Sequence, residues 1–296
     1  MSQIALTLDA APAAPIVPEA IRSALEDGAV VALSVSGGKD SQAMALAVLA
    51  LLRAEELPNR VVAVHADLGR AEWFDTPAQV EAQAAGWGVH LEVVRRTNGD
   101  LLDRIRERAE TVGHDRPFWP SAASRYCTSD LKRGPIDRYL RTLGPLVISV
   151  EGVRAQESHA RAKKPCWEPR NQITNSRRTA LTWRPIHHWT EAQVWTSLGS
   201  SLDDLERRRA LHRLGMEAEA MEGWASHPAY VRGNERLSCS ICILANRADM
   251  ENGARHNPAY LQALVELEEE YGWTFTSTTS VVELAKAVAR DEARVA

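Results

Sequence analysis

Long apolar runs are missing from this 296-residue chain: the longest, Ala43 to Leu52, stops at Arg53 after ten residues, too short to span a bilayer. The N-terminal stretch has no cluster of basic residues and Asp9 interrupts its apolar part, so no secretory leader is expected and the protein reads as cytoplasmic, with no membrane partner. Cysteine is scarce. In a reducing compartment, four thiols suit metal ligation, thiol chemistry or burial better than a disulfide framework. Lysine supplies only five of the 35 basic residues; the rest are Arg, whose planar fork suits bidentate phosphate contacts. Neither charge sign dominates. A net charge of −4 gives no bulk attraction to nucleic acid or anionic membrane. The two commonest nucleotide fingerprints, G-x-x-x-x-G-K with Ser or Thr and G-x-G-x-x-G, are both absent.

What is present patterns as a globular α/β protein. Apolar residues make up 45% and charged ones 25%, enough for a real core. Short apolar runs at residues 30–35, 61–66, 89–94 and 146–150 read as buried strands. Helical stretches separate them at 20–26, 42–56, 76–85, 101–110 and 130–141. Such alternation predicts a doubly wound, mostly parallel sheet covered on both faces. Residues 155–182 are polar and Arg-rich and read as a long substrate loop. Beyond Trp189 only helices are expected, at 191–198, 202–214, 258–271 and 281–289. The predicted organisation is a flexible tail over 1–17, a nucleotide-binding domain over 18–196 and a smaller, mainly helical region over 197–296.

The string Ser36-Gly37-Gly38-Lys39-Asp40-Ser41 lies between the first strand and a helix. Ligands of open α/β sheets sit at the carboxyl ends of strands. Two glycines let backbone N–H groups approach an anion, the helix start adds partial positive charge, and Ser36 and Ser41 supply hydroxyls. An ordinary capped strand–turn–helix connection would explain a lone Gly-Gly pair, but not the whole string in this context.

The string resembles the S-G-G-x-D-S signature of the PP-loop, or adenine nucleotide alpha hydrolase, superfamily. Its members split ATP to adenylate a substrate, or bind and reduce a sulfonucleotide. Three further segments resemble the phosphoadenosine-phosphosulfate reductase branch: Arg125 to Ile136 with Cys127 and a basic pair, Glu151 to Ser158 followed by Arg161, and Trp183 to Trp195. The resemblance covers about residues 29 to 245. It implies an adenine nucleotide (ATP, or a sulfonucleotide) with Mg²⁺, held by Ser34, Ser36, Gly37, Gly38, Lys39, Asp40 and Ser41. Asp67 and Gly152 are placed at the nucleoside and loop, and Lys132, Arg133, Arg154 and Arg161 at phosphate or sulfate oxygens. Asp40, Lys132, Arg154 and Cys127 are the catalytic candidates. Taken singly, each Arg could equally be a solvated surface charge.

Cys239-x-x-Cys242 is a chelating spacing that suits a redox dithiol, zinc, an iron–sulfur site or two buried structural thiols. Reductases of this branch that carry a 4Fe–4S cluster bind it with a Cys pair in the segment matching Arg125 to Ile136 and a later C-x-x-C. Here Tyr126 and Thr128 flank Cys127, so the adjacent Cys is missing. The implied ligands are Cys127, Cys239 and Cys242, with Cys166 as a fourth, and zinc is the lesser alternative. No cysteine follows Cys242, so the reductases' C-terminal E-C-G-x-H thiol has no counterpart. That departure points toward the Dnd C-type proteins of DNA phosphorothioation.

The expected function is ATP pyrophosphatase or adenylation chemistry coupled to sulfur transfer. A sulfonucleotide reductase and a regulatory nucleotide-binding subunit with a structural cluster are the alternatives. The implied partners are a sulfur donor such as a cysteine desulfurase, a DNA or RNA acceptor and a second copy in a homodimer. Nine Trp could stack bases, but core filling is the simpler role. His187, His188 and His227 pair with no carboxylate in sequence and read as structural.

Overall fold

A computed structural model describes residues 13–295. In chain order its main elements are α1 (Glu19–Glu26), β1 (Val30–Val35), α2 (Lys39–Ala54), β2 (Val61–Ala66), α3 (Thr76–Trp87), β3 (His90–Val94) and α4 (Leu101–Val112). Next come α5 (Tyr126–Thr128), a π-helical turn (Ser129–Arg133), α6 (Gly134–Leu140), β4 (Leu146–Glu151), α7 (His159–Ala162), β5 (Trp167–Pro169) and β6 (Thr179–Trp183). The chain continues through α8 (Glu191–Ser197), α9 (Leu202–Arg213), α10 (Glu217–Met221), α11 (Arg247–His256), α12 (Pro258–Tyr271) and α13 (Val281–Val295). No helix among the described residues is long and apolar enough to cross a membrane.

The strands form one six-stranded sheet in the order β3-β2-β1-β4-β6-β5. β1 is parallel to β2 and β4, β4 is parallel to β6, and β5 runs antiparallel to β6. Consecutive residues of β1, β2 and β4 are buried rather than alternating ones. That is the signature of a sheet covered on both faces, as helices cover this one. The doubly wound, mostly parallel sheet expected from the sequence is therefore present.

The long loop expected over residues 155–182 is instead partly sheet, and β5 and β6 were not expected. Ala180 to Trp183 are buried although the flanking sequence is polar. Arg170 and Arg184, the residues that follow β5 and β6, explain how: Arg170 Nε donates to Asp137 (2.7 Å) and Arg184 Nε to Glu151 (3.1 Å), so the arginines at the strand ends are buried as ion pairs. These polar residues erased the apolar run by which a strand is read.

Compactness divides the chain into two units. The described residues of Met1–His65, Ala78–Glu92 and Asp137–Val231 make the first, and those of Ala66–Pro77, Val93–Ile136 and Arg232–Ala296 the second. This differs from the linear division at residue 197. Residues 197–231 join the first unit, whereas 66–77 and 93–136 join the second. Each unit has its own core. In the first, Leu33, Met44, Val48, Ile148, Trp183 and Trp189 pack together, so these tryptophans do fill core. In the second, Leu102, Ile105, Phe118, Leu131, Leu264 and Leu284 do so. Of the tail expected over 1–17, residues 1–12 lie outside the described residues. The remainder is fastened: Trp183 Nε1 donates to Ile16 O (2.8 Å) and Ile16 N–H to Pro185 O (2.9 Å).

Candidate functional site

In the first unit the chain turns from β1 into α2 through Ser36-Gly37-Gly38. Gly37 holds φ +76°, a region costly for residues with a Cβ, and Gly38 caps α2 in extended geometry at φ −81°. Ser41 Oγ braces the turn, donating to Gly38 O (2.9 Å) and accepting the Ser36 N–H (3.2 Å). Ser34 is half-buried near the end of β1, beside Glu151 of β4. The sheet order puts β2 on one side of β1 and β4 on the other. The turn thus stands at a topological switch point, where open α/β sheets bind ligands.

Gly152 follows β4. A Cβ there would lie 2.6 Å from Asp40 O and 2.9 Å from Ser41 N, so only glycine lets the loop after β4 approach the start of α2. Gly152, assigned to the ligand by resemblance, has this packing role as well. Arg154 brings its charge to the same place: Nε donates to Asp40 Oδ1 (2.5 Å) and Nη1 to Gln156 Oε1 (2.9 Å). Its side chain is 4% exposed, which sets aside the solvated-charge reading. Arg161 is more open and pairs with Glu157.

Lys39 is buried within the first unit. Its side chain is 3% exposed, with Nζ 3.6 Å from Asp40, 3.4 Å from Glu191 and 5.0 Å from the centre of the Tyr230 ring. Burial works against its charge, but Tyr230, Asp40 and Glu191 outweigh it and raise the pKa above the usual lysine value. The ammonium is held in a cage of carboxylates and rings.

Tyr230 was not among the sequence candidates. Its hydroxyl accepts the Lys39 N–H at 3.0 Å, satisfying one of the orphan donors at the α2 N-terminus. His227, read as structural, is fully buried and lies against Gly37. Nothing in the local sequence marks either residue, because more than 180 positions separate them from the turn they touch.

The second unit holds the thiols. Cys127 lies on α5, and Cys239 and Cys242 lie on the irregular segment before α11; all three are half-buried. Cys239 and Cys242 share a hydrogen bond, which with burial drives Cys239 up and, helped by the Leu244 N–H and Lys132, brings Cys242 down to about 6. Burial raises Cys127, while Lys132 pulls it the other way. Lys132 is thus the cation that all three thiols feel. Arg133, beside it in the π-helical turn, is exposed. Asp67 accepts the Gly69 N–H (2.7 Å) and pairs with Arg95 (2.6 Å).

Ser240, between the two cysteines, is locked in place. Its N–H (2.8 Å) and Oγ (3.1 Å) both donate to Ala71 O, and Asn257 Nδ2 donates to Oγ (3.1 Å). Gly253 of α11 lies so close that a Cβ would fall 1.6 Å from Ser240 O. Among the described residues no three His, Cys, Asp or Glu side chains form a ready site for a single metal ion. The fit of a metal group therefore rests on donor chemistry, and soft thiols beside a cation suit iron–sulfur or zinc alike. Cys166 belongs to the first unit, where its carbonyl accepts the Arg184 N–H at 2.7 Å.

A glycine turn that opens a helix at a topological switch point is the place where open α/β sheets bind ligands. The chain matches the phosphoadenosine phosphosulfate reductase domain over residues 30–201 and belongs to that family. It is 27% identical over 183 residues to an uncharacterized 37.8 kDa protein of Escherichia phage 186, covering 60% of this chain and 45% of that protein. The chain thus spans less than half the length of that relative. Among solved structures it is similar to the U34-tRNA thiolase NcsA of Methanococcus maripaludis with its 4Fe–4S cluster, at 13% identity and TM-score 0.43, covering 93% of this chain and 75% of that one. It is also similar to Candida glabrata FMN adenylyltransferase with FMN and an ATP analogue, at 16% identity and TM-score 0.38, covering 62% and 52%.

Proposed function

We propose that the chain binds ATP on Ser36 to Ser41 and uses it to activate an acceptor for sulfur transfer. The observation that carries this reading is the switch-point turn, where Gly37, Gly152 and the Asp40–Arg154 pair converge at the start of α2. Phosphate oxygens are received by free backbone N–H groups of the turn and the Ser36 hydroxyl, while Ser41 braces the turn. Arg154 turns part of its fork from Asp40 to the ligand, and Asp40 keeps the guanidinium oriented. An acceptor oxygen attacks the α-phosphorus, pyrophosphate leaves and the acceptor carries AMP; sulfur then displaces AMP. Mg²⁺, held by the phosphates with Asp40 the nearest carboxylate of the turn, would neutralise charge on them.

Cys127, Cys239 and Cys242, all of the second unit, would hold a 4Fe–4S cluster. The cluster would supply a site that accepts or releases sulfide. Soft thiolate donors suit such a cluster. Lys132 offsets the negative charge that gathers when the thiols deprotonate. A cysteine desulfurase class of donor and a nucleic-acid acceptor fit this chemistry, as would a homodimer. The alternatives are a sulfonucleotide reductase, which would release sulfite, and a nucleotide-binding regulatory subunit, which would release neither product.

Gly38→Val tests the reading cleanly. Gly38 holds φ −81°, which any residue adopts, so the substitution blocks the anion's approach without straining the backbone. Pyrophosphate release from ATP and calorimetric ATP binding should both vanish while the melting temperature holds. Equal ATP affinity in variant and wild type would remove the phosphate cradle from these residues.

A further inference from the structure

Within the second unit, α4 carries arginines at 104, 106 and 108 that are partnered differently. Arg104 Nε donates to Asp130 (2.9 Å), whereas Arg106 and Arg108 pair with no carboxylate among the described residues. Arg104 and Arg108, four positions apart, share a helix face, where like charges repel. That face meets Tyr126: the two guanidiniums lie 4.9 and 5.3 Å from the centre of its ring. The ring is a fixed platform, since Tyr126 is buried and its hydroxyl donates to Phe118 O (2.8 Å). Arg108 is half-buried, its Nε is covered and unpaired, and only the ring offsets its charge. The Nη groups at the end of its fork are therefore the donors that a ligand would meet.

A second cation stands beside the same tyrosine. Arg125 precedes Tyr126, is exposed, and also pairs with no carboxylate among the described residues. A tight turn presents it: Ser121 N–H donates to Ser124 O (3.1 Å) and Ser124 N–H to Ser121 Oγ (3.0 Å). Elsewhere the unit matches arginines to carboxylates, Arg70 with Asp100, Arg95 with Asp67, Arg96 with Glu107 and Arg232 with Asp75. Two unmatched arginines thus adjoin Tyr126 and the thiol of Cys127 that follows it.

We propose that Arg108 and Arg125 form a phosphate-binding face for a nucleic-acid strand, holding its backbone beside Cys127. A free phosphate is best held by donors converging on one point. These two arginines stand on different elements, α4 and the turn before α5, and suit separate phosphates of one chain. Tyr126 is buried and offers no ring for a base to stack on, so the face reads backbone charge and not sequence. The inference deepens the proposed function and rests on it only in taking the bound strand as the sulfur acceptor.

The test follows a fluorescent single-stranded oligothymidylate by anisotropy over a salt series, using the full chain. Arg108→Gln and Arg125→Gln should each weaken binding about fivefold at ~0.1 M salt and make the slope of log K against log salt shallower by about 0.7, the share of one phosphate contact to a single strand. Arg106→Gln removes the same charge from another face of α4 and should change neither. Arg125 is exposed, so its variant keeps the fold if the Arg108 variant loosens Tyr126. Calorimetric ATP affinity should hold in all three. A wild type that does not bind the oligonucleotide, an equal loss in the Arg106 variant, or a matching loss of ATP affinity in the Arg108 and Arg125 variants overturns the face. A wild type that binds the oligonucleotide as expected but not ATP overturns the proposed function and leaves the face standing.

Discussion

The two units build their candidate sites by opposite routes. The first uses backbone: a positive-φ glycine, a glycine that admits a neighbouring loop and a helix start, most of it written within six consecutive residues. The second uses side chains drawn from positions 127, 239 and 242, held by contacts such as that of Gly253 on Ser240. Backbone sites tolerate changes around them as long as the turn survives. Side-chain sites depend on every packing contact that sets their register. The contrast teaches where each half is fragile.

The largest effect is expected where packing is tightest. Gly253→Ala must displace the Cys239–Cys242 segment, and overpacking of this kind costs about 1–3 kcal/mol or more. The melting temperature should fall and thiol-bound iron should be lost, with ATP affinity retained; a parallel loss of ATP affinity would break the contrast between the units. Next come the ligands. After anaerobic purification, Cys127→Ala, Cys239→Ala and Cys242→Ala should each lose iron, and Cys166→Ala should lose less. Full iron content in the Cys127 variant would show that the C-x-x-C works without it.

A smaller change sharpens the first unit. Arg154→Lys should weaken ATP binding by about 1–3 kcal/mol, since one ammonium cannot keep Asp40 and reach a phosphate together; calorimetry reads it directly. The smallest effect concerns Asp100, which caps α4 in the second unit. Burial pushes its carboxyl up, but the Arg70 fork and two backbone N–H groups win and hold it at about 2, below the ordinary 3.8. A depressed carboxyl stabilises the fold fully above its ordinary pKa, and that share fades as pH falls toward 2. Asp100→Asn should therefore flatten the acid limb of a stability–pH curve between about pH 4 and 2, by under about 1 kcal/mol because Arg70 is half exposed. An unchanged limb would place acid sensitivity elsewhere.

Much of this was legible in order along the chain. β1, β2 and β4 are short, mostly apolar runs, and the glycine turn follows β1 directly, so local pattern sufficed. β6 was not legible, because its arginine neighbours are buried as ion pairs that polarity alone reads as loop. α11 escaped notice because Arg247 to His256 is polar and contains Gly253, which serves contact with Ser240 rather than helix formation. Lys39 was legible as part of the string but not in direction. Its cage needs Glu191 and Tyr230, which only the fold brings near. His227 and Tyr230 were hidden for the same reason.

The cage around Lys39 also bears on ionic strength. Lys39 and Arg154 face Asp40 and Glu191, two cations against two anions, with both cations buried. Mobile ions screen such a group poorly, and it presents no net charge for them to gather around. The pull on a ligand anion would then come from backbone dipoles and the part of the Arg154 fork that Asp40 does not hold, all well inside a Debye length. On the proposed function, ATP affinity should therefore fall less with added salt than that of a site that recruits phosphate with a surface patch of lysines.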